Sequence, residues 1–119
     1  EGWSDCLRIE TRMFDIDVIV IEPGGIKTPW GTIAAENLKK TSGSGAYADI
    51  ANRTADKMAE LYTGEKLTDP SVIAKVIAKA VIVKKPKFRY VAGYMAAPAL
   101  FIRKWFGDRV FDTVTMSMT

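Results

Sequence analysis

Four consecutive β-branched residues, Val18-Ile19-Val20-Ile21, constrain this chain more than any other stretch. A strand with one wet face alternates apolar and polar residues. An unbroken run is apolar on both faces and belongs in a parallel sheet covered by helices on both sides. Pro23 lacks a backbone donor and Gly24-Gly25 opens dihedrals that other residues resist, so a strand over Asp17–Glu22 must end there. In open α/β sheets ligands sit beyond the carboxyl ends of the strands. The segment Gly24–Thr28 is therefore a candidate ligand loop, with bare backbone amides and a hydroxyl at Thr28. A plain strand-to-helix turn would have the same shape.

The flanking residues supply the rest of an α/β unit. Glu1–Phe14 has helical periodicity, with Trp3, Cys6, Leu7, Glu10, Met13 and Phe14 on one side. By itself such a stripe reads as core packing. Ile33–Lys40 can make one or two helical turns, and Thr41–Gly45 is small, polar and flexible. Ala46–Tyr62 is helical, with Gly64 as its stop. Asp69-Pro70-Ser71 places an N-cap before a proline at the first helical position, and Val72–Val81 follows with helical spacing. Pro86 closes that region. Phe88–Gly93 is a second strand, parallel to the first because helices form the crossover. Pro98–Phe106 is an apolar helix stopped by Gly107, and Asp108–Val114 adds a further turn.

Composition narrows the chemistry. The chain has 119 residues, one domain or part of one, and a mild net charge of +3. No long basic stripe accompanies that charge, so nucleic acid is not an expected partner. With no histidine, His-based general base catalysis and His-ligated metals are excluded. The single Cys6 excludes an internal disulfide or a cysteine metal cluster and suits a cytoplasmic protein. Tyr90–Phe106 is the most apolar region, but Pro98 and Arg103 interrupt it and it is too short to span a bilayer. The chain opens at Glu1-Gly2-Trp3, without an initiator Met and directly in an amphipathic pattern. This is expected of a chain with an upstream portion, lost naturally, by proteolysis or by design.

The order strand, Pro23-Gly24-Gly25-Ile26-Lys27-Thr28, preceded by an amphipathic helix, resembles the second half of the short-chain dehydrogenases/reductases. The likeness continues through Asp69-Pro70-Ser71 to Arg89-Tyr90-Val91-Ala92-Gly93 and so covers nearly the whole chain. It implies the C-terminal part of a doubly wound, Rossmann-like parallel sheet: two strands with flanking helices. Residues 1–31 would carry helix, strand and cofactor loop; 32–68 the substrate lobe or lid; 69–119 the last crossover helix, last strand and C-terminal helix. The resemblance implies that Pro23, Gly24, Gly25, Ile26 and Thr28 bind NAD or NADP, Ile26 through its backbone and Thr28 through its hydroxyl or amide. Trp30 would border the pocket of a small alcohol or carbonyl substrate. Helix 1–14 would lie in a homodimer interface. The family's glycine-rich loop and its catalytic Ser, Tyr and Lys would lie upstream of Glu1, so no catalytic residue is assigned here and the chain alone is expected to be inactive. The alternative is a non-catalytic module whose helix 1–14 and C-terminal helix mediate self-association.

Four local patterns are set aside or left open. Gly43-Ser44-Gly45-Ala46-Tyr47-Ala48 matches a dinucleotide fingerprint, but no strand precedes it. Tyr62–Lys66 matches Tyr-x-x-x-Lys, yet Gly64 breaks the turn that would align hydroxyl and ammonium. Asn52-Arg53-Thr54 is a glycosylation sequon inside an expected helix. The basic cluster Lys84-Lys85-Pro86-Lys87-Phe88-Arg89 is able to meet phosphate or anionic lipid, and reads more simply as a solvated corner.

Overall fold

A computed structural model describes residues 1–118, with the side chain of Met118 excepted. The order is α1 (Gly2–Thr11), a 3-10 turn (Arg12–Phe14), β1 (Val20–Pro23), α2 (Trp30–Ser42), α3 (Ala48–Thr63), α4 (Pro70–Ile82), β2 (Arg89–Ala92) and α5 (Ala96–Met118). The two strands pair in parallel, with Val20 opposite Arg89 and Pro23 opposite Ala92. The mixed α/β architecture expected from the β-branched run is therefore present.

β1 is shorter at its start than the apolar run suggests. Its ladder begins where a partner exists: the Val20 amide donates to the Phe88 carbonyl at 2.9 Å, and β2 spans only four residues. Val18 and Ile19 remain half-buried ahead of the ladder. Pro23 is the last residue of β1, where a missing donor costs the ladder least.

The helix boundaries follow local chemistry. At α4 the Asp69 carboxylate accepts from the Ser71 amide at 2.8 Å, with Pro70 at the first helical position. Gly64 ends α3, its amide donating to Glu60. α2 is longer than one or two turns, because Thr41 and Ser42 continue it and the Thr41 hydroxyl bonds back to Asn37 O at 2.9 Å. The flexible stretch thus shrinks to the bend around Ser44-Gly45. Gly107, at φ 73°, divides α5 into two helical segments where the sequence placed a stop.

The interior is small. The buried apolar residues are Ala35, Ala51 and Ala55 between α2 and α3, with Leu67 and Ala80 elsewhere. α2 and α3 form a tight hairpin, while α4 and α5 both pack on β2. The radius of gyration is 17.8 Å, against about 13.5 Å for a compact chain of this length.

Candidate functional site

The segment from Pro23 to Thr28 lies beyond the carboxyl ends of both strands, and internal pairing fixes its path. The Gly24 amide donates to Ala92 O at 2.8 Å and the Gly25 amide to Tyr94 O at 2.8 Å. The Lys27 amide donates to Thr68 O at 2.9 Å, and the Thr68 amide returns to Gly25 O at 3.1 Å. These amides are spent on the fold, so the expectation of a wholly bare loop is corrected. What stays available is narrower. The Ile26 amide and the amide and hydroxyl of Thr28 make no hydrogen bond among the described residues. They are the two residues singled out for polar contact with a ligand.

Gly24 is required by close approach. A Cβ there would strike the Tyr94 carbonyl and crowd Ala96, so β1 and the turn after β2 meet backbone to backbone. Beside this contact a cleft of about 370 Å³ is lined by Glu22, Pro23, Gly24, Tyr94, Met95 and Leu100. Met95 holds a left-handed φ of 61° in that turn, a conformation that non-glycine residues seldom adopt. Trp30 opens α2, is 62 % exposed, and rests on the Tyr62 ring at 5.9 Å between centroids. Tyr62 is thus placed by packing against Trp30 and Gly31. Gly43 follows a helix, so neither of the two set-aside motifs has the context its chemistry needs.

An ion network that sequence reasoning missed ties α1 to the sheet. Arg89 reaches Glu1 at 3.1 Å, Asp5 at 2.7 Å and Glu22 at 3.4 Å, while Arg8 holds the other Asp5 oxygen at 3.0 Å. Within Lys84–Arg89 nothing in the sequence marks Arg89 as different from its neighbours; only its place at the start of β2 does. Arg89 and then Arg8 hold the Asp5 carboxyl below its ordinary range through hydrogen bonds. Burial, then the neighbouring Glu1, pushes Glu22 up.

The linkage signs differ for the two acids. Asp5, with a depressed folded pKa, stabilises the fold above the unfolded carboxylate range, and this is lost as pH falls through the folded value. Glu22, with a raised one, contributes at acid pH and loses that contribution as pH rises. Arg89→Met leaves three carboxylates without their shared cation. The variant is expected to unfold at lower urea than the parent at neutral pH, with the gap closing as the carboxylates protonate. Urea midpoints measured from neutral pH down to the carboxylate range check this. A gap independent of pH would assign Arg89 a packing role only.

Several curated proteins resemble the chain. It is 30 % identical to "Oxidoreductase BOA17" of Botryotinia fuckeliana over 77 % of the chain and 32 % of that protein. It is 31 % identical to "Probable short-chain type dehydrogenase/reductase VdlC" of Helicobacter pylori over 78 % of the chain and 33 % of the relative. It is 32 % identical to "NADPH-dependent 3-dehydrocapnine reductase" of Ornithobacterium rhinotracheale over 96 % of the chain and 39 % of the relative. No family model matches, and no solved structure matches significantly. With a parallel pair of strands and a glycine loop beyond their carboxyl ends, the chain is similar over three quarters or more of its length to oxidoreductases and a short-chain dehydrogenase/reductase, and it spans about a third of the length of the first two of these curated relatives.

Proposed function

We propose that this chain supplies the nicotinamide-side loop and the substrate lobe of a longer oxidoreductase. That enzyme would exchange hydride between NAD or NADP and the carbon of a small alcohol or carbonyl compound. One observation carries the reading: paired amides fix the Pro23–Thr28 loop while Ile26 and Thr28 keep polar groups free at the carboxyl edge. Donors and a hydroxyl on a fixed loop suit a carboxamide, which both donates and accepts. Pro23, Gly24 and Gly25 would flank the nicotinamide ring, and Ile26 and Thr28 would hold its carboxamide. The dinucleotide supplies the hydride chemistry; the chain's residues orient it and keep water from its face.

Trp30, tilted against the Tyr62 ring, would border the substrate, and residues 32–68 would form the lobe above it. The α2–α3 hairpin suits that role: its two helices pack mainly on each other, and the bonds among Gly25, Lys27 and Thr68 join the segments that lead into and out of it. Acid–base groups would come from outside these residues, so the chain alone does not turn over. Helix α1 would serve self-association. Exposed Trp3 on α1 and Met13 in the turn after it also favour the second reading, a module that only associates, which cofactor binding separates from the first.

Thr28→Val keeps the side chain's shape and removes its hydroxyl. In the longer protein it is expected to weaken cofactor binding by about 1–3 kcal/mol. Titration with NADH and NADPH, followed by fluorescence, measures it. Unchanged affinity would remove the Thr28 side chain from the site.

A further inference from the structure

The basic cluster before β2 is not absorbed by this function, and the structure gives it neighbours that the sequence does not. Because β1 and β2 are parallel, the segments entering them, residues 12–19 and 83–88, lie together at the amino edge of the sheet. This is the edge opposite the Pro23–Thr28 loop. Arg8 of α1 stacks over Phe88 at 4.2 Å and fastens that helix to the second segment. A cleft of about 310 Å³ runs between them, with Arg12, Ile16 and Phe88 in its walls.

Lys84, Lys85 and Lys87 are exposed, and neither they nor Arg12 makes an ion pair among the described residues. Asp15 and Asp17 are the acids of the same edge, leaving it basic. Directly beside the lysines Val81 is 77 % exposed and Ile82 79 %, and Phe88 is more than half exposed. Unpaired cations alone would be a solvated corner. Cations interleaved with large apolar side chains in water are a different surface, because both halves gain from one partner.

We infer that this amino edge docks on an anionic lipid surface, with the three lysines and Arg12 at the headgroups and Val81, Ile82 and Phe88 entering the acyl boundary. Polybasic segments are drawn to anionic leaflets, and apolar side chains add the burial that makes attachment stable. Nucleic acid fits less well. Its backbone offers nothing to Val81 and Ile82, and of the edge's two aromatics, Phe14 and Phe88, the latter has a face already covered by Arg8. Attachment would be peripheral, since no helix among the described residues is long and apolar enough to cross a membrane. The ligand loop, on the opposite edge, would stay open to small molecules.

Flotation of the chain with vesicles tests this, because self-associated protein does not float. Binding is expected to phosphatidylcholine vesicles containing phosphatidylserine, to weaken with added salt, and to be absent from phosphatidylcholine alone. Lys84→Gln, Lys85→Gln and Lys87→Gln together are expected to weaken it about a hundredfold, about fivefold for each charge. Ile82→Ser tests the apolar half without altering charge and is expected to weaken binding severalfold. The control Lys40→Gln, Lys75→Gln and Lys104→Gln removes equal charge elsewhere and should leave binding within about twofold. Equal loss in the control, equal binding to both vesicle types, or tighter binding to a duplex oligonucleotide than to the anionic vesicles would each overturn the proposal.

Discussion

Gly31→Val is expected to pry α2 from α3. A Cβ at Gly31 would sit inside the ring of Tyr62, against Cγ and both Cδ atoms. These atoms are close to the backbone of α3, so no rotation of a flexible tip clears them. The ring's other neighbour is Trp30. Around the contact the hairpin interior consists of Ala35, Ala51 and Ala55, small residues that let two helices approach closely and leave no slack. Overpacking such a site costs about 1–3 kcal/mol and occasionally more. Here the two helices pack mainly on each other, with Lys39–Asp56 and the Asn52 bond to Gly43 O as further cross-links. Urea unfolding and amide exchange in Trp30–Thr63 give the measurement. Tyr62→Ala in the Gly31→Val background is expected to recover part of the loss, a coupling of about 0.5–3 kcal/mol. Strict additivity would mean that the ring is not the obstacle.

That close contact was outside what the sequence reveals. Gly31 follows a Pro-Trp pair and reads as part of a turn; only the meeting of two helices makes its missing side chain necessary. By contrast, the strand order and parallel pairing were legible, because Val18–Ile21 and Asp69-Pro70-Ser71 each encode their structure within a few residues. The ends of elements were less so. β1 lost Asp17–Ile19 to the short length of its partner, and α2 gained Thr41 and Ser42 through a hydroxyl-to-carbonyl bond. In the candidate site, Ile26 and Thr28 keep polar groups without a partner among the described residues, but the amides of Gly24, Gly25 and Lys27 are not free. Their partners, Ala92, Tyr94 and Thr68, are 40 residues or more away in sequence, beyond any local pattern. The Arg89 network was hidden for the same reason.

The chain by itself is expected to associate as its concentration rises. Its accessible surface is 9284 Å², whereas a compact protein of 13.1 kDa exposes about 6,400 Å², an excess of about 2,900 Å². A standard-size interface buries about 800 Å² on each partner, so the surplus exceeds what one such contact removes. The excess is apolar in the places that matter. On α1 and the turn after it Trp3 is 75 % exposed and Met13 80 %. A fully buried large side chain gains about 1.5–3 kcal/mol over one left in water, so covering both is a substantial fraction of a typical net stability of about 5–15 kcal/mol. Trp3→Asp and Met13→Asp place charge on that face without touching Leu7, which is half-buried and already helps hold the helix. Sedimentation velocity at several concentrations should show the parent chain moving from monomer to larger species and the double variant remaining monomeric further up the series. Association unaffected by the double variant would move the contact to another exposed face, and Trp105→Asp on α5 is the variant that tests it. A parent chain that stays a folded monomer at high concentration would show that this apolar surface is stable in water, and would remove α1 as a self-association helix under either functional reading.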